Sequence, residues 1–202
     1  MALLGWSGKD DQEIFSLETL KERFDLSGVN KSNSKFDYDK CLWVNAEHLK
    51  NLSPEALAAA SAPFLEKAGI PTDDPRVPAA LELARDRAQR LIEVPGVIAT
   101  IFADEVIYDQ AAIEKVTSKD TSAAAVEALI TGLEGVTDWT VDTIKPAIAA
   151  SAASIDAKMG MLMLPCRVGV MGSTSGADLI PVLELLGQEE VVKRLKGFAE
   201  KL

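Results

Sequence analysis

The 202 residues suffice for one large or two small domains, and a hydrophobic content of 48% supplies a packed core and excludes a disordered tail. No apolar run approaches the ~20 residues of a transmembrane helix, no basic-then-apolar leader is expected, and two distant cysteines with one histidine, His48, give no zinc-site spacing. The net charge of −10 argues against a nucleic-acid partner, yet residues 54–109, with 5 basic and 10 acidic groups, hold four of the seven arginines, Arg76, Arg85, Arg87 and Arg90.

Taken in chain order, helical signals dominate. Ser16 can cap a helix through Leu17, Leu20 and Phe24, and Asp37 one carrying Leu42, Trp43, Ala46 and Leu49. Ser53-Pro54-Glu55 is a cap followed by proline at the first helical position. That helix runs through Leu57 and Leu65 to Gly69, with Pro63 predicting a kink or break. Pro71 to Pro78 reads as a linker. The spacing of Leu81, Ala84, Ala88, Leu91 and Ile92 predicts a further helix ended by Pro95-Gly96. Residues 97–108 fit either a strand or a buried helix. Later helices are predicted at about 122–134, from Thr137 or Asp138 to about Lys158, at 178–186, and from Gln188 to about Lys201. The fold class is all-α, with a boundary near 109.

No phosphate loop, paired cysteine motif or nucleophile elbow is present, so no catalytic residue and no metal ligand is assigned. Cys41 and Cys166 read as small, buried, reduced side chains, and His48 as a surface or half-buried helix residue. Arg87 and Arg90, three apart, are expected to share a helical face. Ion pairs with Glu82, Asp86 and Glu93 would explain that cluster without any ligand. Arg167 resists such an account. It stands among Cys166, Val168, Val170 and Met171 with no local carboxylate, and an unpaired buried guanidinium is costly. Its planar fork of donors suits phosphates and base edges. A local basic face on an acidic body can bind RNA, because screening confines charge effects to about 8 Å at physiological salt.

Three blocks carry a resemblance. They are Ala2-Leu3-Leu4-Gly5-Trp6-Ser7; Phe15-Ser16-Leu17-Glu18 through Val29-Asn30-Lys31-Ser32 to Phe36-Asp37-Tyr38-Asp39-Lys40-Cys41-Leu42-Trp43; and Lys158-Met159-Gly160 through Pro165-Cys166-Arg167 and Gly172 to Leu185-Leu186-Gly187. Over essentially all 202 residues the chain resembles the C-terminal anticodon-binding region of bacterial glutamyl-tRNA synthetases. The Val29–Ser32 turn belongs to that pattern and is not an ATP loop. The resemblance implies a short helical stem-contact tail at 1–53 and two helical anticodon-binding subdomains at 54–109 and 110–202. It places Arg87 near the third anticodon base and Arg167 near the first. Gly176 and Leu179 fall on the loop and helix start that pack against the bases, and Arg90 and Lys158 are expected on the tRNA backbone.

The implied partner is tRNA(Glu), with no membrane, a cytoplasmic location and a monomeric state. The catalytic domain would lie in cis in the parent protein, and ATP and magnesium are expected only there. These 202 residues alone are expected neither to activate glutamate nor to bind ATP. Apolar surface around Leu3, Leu4 and Trp6 is expected to be exposed without that domain. The rival expectation is a catalytically inactive helical module that binds a protein, such as a separate catalytic half. The pattern departs at Gly176, where a more polar residue is usual, and at Ala177-Asp178, which replace a Pro-Gly-like pair. Asp178 then either brings an acid near RNA phosphates or caps the next helix. His48, Lys50 and Met171 also stand where tyrosine, arginine and threonine are usual.

Overall fold

The structure, a computed structural model, describes residues 2–31, 35–119 and 121–202, so Ser32 of the Val29–Ser32 turn lies outside the described residues. Among these residues there are eleven α-helices and no strand, apart from one isolated bridge between Trp6 and Val29. The all-α expectation holds.

The first three helices start where the polar caps predict. In α1 (Leu17–Arg23) the Ser16 hydroxyl accepts from the Thr19 amide. Asp37 does the same for Lys40 in α2 (Tyr38–Lys50), and Ser53 for Ala56 in α3 (Pro54–Lys67). Each cap satisfies an amide that has no partner inside the helix. Pro63 does not end α3, which continues to Lys67 before Gly69 turns the chain with φ +73°.

Residues 2–31 have a small core of their own. Trp6 is 4% exposed, lies edge-on to Phe15 and close to Phe24, and donates its indole N–H to the Asp25 carbonyl at 3.1 Å. Gly28 passes so near that a Cβ there would sit 2.5 Å from the indole nitrogen. Trp6 therefore does not offer the exposed apolar surface expected of it, because Phe15 and Phe24 cover it locally; Leu3 and Leu4 are half-buried.

The stretch after Pro71 corrects two expectations. Helix α4 (Val77–Arg85) begins inside the predicted linker, and the predicted helix through Ile92 is broken. Glu93 explains the break. Its carboxylate accepts from the amides of Gln89 (2.9 Å) and Arg90 (3.3 Å), so the helical ladder, which still holds the Ala88 amide on the Ala84 carbonyl, is not continued past Ala88. Pro95 and Gly96 then open α5 (Val94–Phe102) instead of closing its predecessor; proline at a first turn loses no hydrogen bond. Residues 97–102 thus resolve as buried helix, with Ile98 and Ile101 in the core.

The remaining helices are α6 (Gln110–Thr117), α7 (Ser122–Glu134), α8 (Val141–Ser154), α9 (Met159–Met171), α10 (Leu179–Leu186) and α11 (Gln188–Ala199). Helix α8 stops short of the expected Lys158, because Asp156 takes the left-handed conformation (φ +53°) that ends a helix. One apolar core runs from Leu57 on α3 to Leu195 on α11 and crosses residue 109 without interruption. Helix α10 belongs to the C-terminal half but packs on α4 and α5, and this contact brings residues 87 and 178 together.

Candidate nucleic-acid interface

Arg87 lies in the turn that follows α4, held down by the buried Ala88 and by its own amide bonded to the Ala84 carbonyl at 2.9 Å. It and Arg90 are therefore not on one helical face as expected. Arg90 starts a short 3-10 turn, donates to Glu93 at 2.7 Å and lies close to Tyr38.

Arg167 comes from the middle of α9 and is half-buried. One Nη donates to the Ala177 carbonyl at 2.8 Å and approaches the Met171 sulfur at 3.6 Å. The partner demanded by its apolar setting is thus backbone on the returning loop. That loop, 172–178, turns on two glycines with positive φ, Gly172 (+75°) and Gly176 (+131°). A Cβ on Gly172 would lie 2.1 Å from the Ile107 carbonyl oxygen, so only glycine fits. Ala177 is fully buried and anchors the loop against α9.

The two arginines are linked through Asp178, expected either to cap the next helix or to repel RNA phosphates. Asp178 stands at the N-cap position of α10, yet its side chain accepts nothing from that helix. Its carboxylate instead takes the Arg87 guanidinium in an ion pair. It also acts on Arg167. Burial lowers the pKa of that guanidinium, Asp178 offsets part of the effect, and the Arg87 charge adds to the lowering. Arg87, Asp178 and Arg167 therefore form one cluster, assembled from chain positions about eighty residues apart. Its chemistry is a pair of donor forks partly neutralised by one acid; Ala177 and Leu179, which flank Asp178, and Met171 are buried in the core and offer no apolar surface there.

The other predicted residues distribute unevenly. Gly176 is in the loop of the cluster. Leu179 is only 2% exposed and packs in the core, so its side chain is not available to a base; as the first residue of a helix docked on α4 it faces inward. Lys158 is exposed at the far end of α9, about 13 Å along the helix from Arg167. Cys166 is buried as expected, whereas Cys41 is exposed on the early turns of α2. His48 is exposed and lines a cleft of about 360 Å³ with Leu3, Phe15, Phe36 and Val44, in which none of the six predicted site residues takes part. Among the described residues no group of three His, Cys, Asp or Glu side chains could hold a metal, and no single helix is long and apolar enough to cross a membrane.

A family model for the anticodon binding domain matches residues 46–199, which include every member of the cluster. The chain belongs to this anticodon-binding domain family. It is 40% identical over 199 residues to a glutamate–tRNA ligase of Akkermansia muciniphila, covering 98% of this chain and 45% of that one. Against a glutamate–tRNA ligase of Acidovorax sp. (strain JS42) the identity is 36%, over 98% of this chain and 42% of the relative. The solved glutamate tRNA ligase of Elizabethkingia meningosepticum superimposes with a TM-score of 0.87 at 26% identity, over all of this chain and 40% of that one. The anticodon-binding chain thus spans under half the length of these relatives and corresponds to their C-terminal region.

Proposed function

We propose that this anticodon-binding region reads the anticodon loop of tRNA(Glu) as the C-terminal part of a cytoplasmic, monomeric glutamate–tRNA ligase. The remaining part of such a ligase would hold ATP and magnesium and join glutamate to the tRNA. The observation that carries the reading is the convergence of Arg87 and Arg167 on the segment Ala177-Asp178, within a fold of this family. Unstacked loop bases are read by guanidinium forks and apolar contacts, and one good bidentate contact discriminates by about 1–3 kcal/mol. Lys158, and Arg90 once released from Glu93, would make sugar and phosphate contacts, which orient an RNA without reading it.

The test is a double variant, Arg87→Ala with Arg167→Ala, titrated with labelled tRNA(Glu). Affinity should drop at least about tenfold, with relaxed choice at the first and third anticodon bases. Binding equal to that of the unchanged protein would overturn the assignment.

A further inference from the structure

We propose that Asp178 is the positioning residue that makes this cluster select bases over phosphates, a proposal that rests on the anticodon reading above.

Three observations converge on Asp178. First, it does little for the fold. Its side chain makes no cap bond to α10, and its pair with Arg87 is open to solvent, with the two side chains 66% and 49% exposed. Such pairs contribute little to stability. Second, it pairs with the Arg87 guanidinium and directly follows Ala177, whose carbonyl holds the Arg167 guanidinium, so its charge acts on both arginines. Third, it engages Arg87 through one Nη only. Among the described residues the Nε and the other Nη of Arg87 donate to no protein acceptor. The guanidinium is held at one corner and leaves the rest of its fork free.

The chemical consequence follows from charge. Two bare arginines carry +2 and attract any phosphate. With Asp178 the cluster carries +1, and a phosphate directed at it meets a carboxylate. A base edge brings acceptors without a full negative charge, so it bonds the free fork without that repulsion. Fixing the Arg87 side chain beforehand also reduces the ordering cost of binding, because a long, exposed side chain on a turn otherwise loses rotamer freedom when it docks. Asp178 therefore lowers non-specific attraction and sharpens geometry at the same time.

The experiment uses the full 202-residue chain and an anticodon stem-loop RNA of tRNA(Glu), with the third anticodon base replaced in turn. Asp178→Asn preserves shape and removes charge, so it should fold with an unchanged melting temperature. We expect it to bind the altered loops more tightly than the unchanged protein does, and selectivity should fall about tenfold. Asp178→Glu should restore most of that selectivity. In an Arg87→Ala background, Asp178→Asn should leave selectivity where Arg87→Ala alone puts it, because the effect passes through Arg87. If the unchanged protein discriminates among the loops and Asp178→Asn discriminates equally well, the role of Asp178 is refuted while the anticodon reading stands. If the unchanged protein fails to bind or to discriminate, the anticodon reading is refuted and this inference with it.

Discussion

At the scale of single residues, the chain separates groups with similar side chains by what surrounds them. Arg194 is 6% exposed, and its guanidinium is spent on the carbonyls of Thr100, Val170 and Ala103 and on Glu190, which joins α5, α9 and α11. Arg87 is half-exposed and keeps donors free. Identical chemistry is thus spent on packing in one place and left open in the other, and the count of internal acceptors tells them apart. The cysteines divide in the same way. Burial pushes the Cys166 thiol up to about 12, whereas Cys41 is exposed. Since the thiolate is the reactive form, a disulfide reagent at neutral pH should label Cys41 in the folded protein and reach Cys166 only after unfolding in urea. A raised pKa in the fold also carries a sign. From the ordinary 9.0 burial raises this thiol to about 12, so its contribution to stability is fully present below about 9 and is lost as pH rises through that window. Rapid labelling of both thiols in folded protein would show that α9 opens far more readily than its packing implies.

At the scale of elements, much was legible in the sequence because helix starts are written in local chemistry. Ser16, Asp37 and Ser53 each accept the amide three residues on, and each was readable as a cap. The break at 86–93 was not readable, since the Leu81, Ala84, Ala88 spacing is helical and Ala88 is indeed buried. What decides it is the Glu93 side chain competing for backbone amides, a contact that apolar periodicity does not register. For the site, the sequence singled out Arg167 by its isolation, and the family resemblance named Arg87. Asp178 was missed as their link, because its place depends on loop 172–178 returning over α9. Arg85 also acts across elements. Its guanidinium leaves α4, closes on the carbonyls of Leu49, Lys50 and Leu52 at the end of α2, and pairs with Glu82. A cation at a helix C-terminus satisfies free carbonyls and opposes the helix dipole. Arg85→Ala should cost about 2 kcal/mol in urea unfolding. The more telling readout is hydrogen exchange, which should speed up in the last turn of α2 and leave α7 unchanged. Uniform acceleration along the chain would mean that α2 and the helical body unfold as one unit and that Arg85 is not the joint.

At the scale of the whole molecule, a net charge of −10 limits how the proposed RNA partner can be held. Many surface cations are already matched. Lys50 pairs with Glu47, Arg85 with Glu82, Arg90 with Glu93, Lys193 with Glu190 and Lys196 with Glu134. Among the described residues ten cations take part in an ion pair, whereas Arg167 and ten lysines, Lys158 among them, take part in none. With 31 acidic against 21 basic groups the chain as a whole repels a polyanion, so it should hold RNA chiefly through what it reads and only weakly through phosphate attraction. Salt dependence measures that balance. Each phosphate neutralised on a single strand contributes about −0.7 to the slope of log K against log salt. Two or three such contacts give a slope between about −1 and about −2, so affinity for the stem-loop should fall by no more than about twentyfold from about 50 mM to about 200 mM salt. Fluorescence anisotropy over that range gives the slope directly. A slope steeper than about −4 would mean that the RNA tracks a basic surface made by the unpaired lysines, and the account of an acidic protein that binds by reading would have to be abandoned.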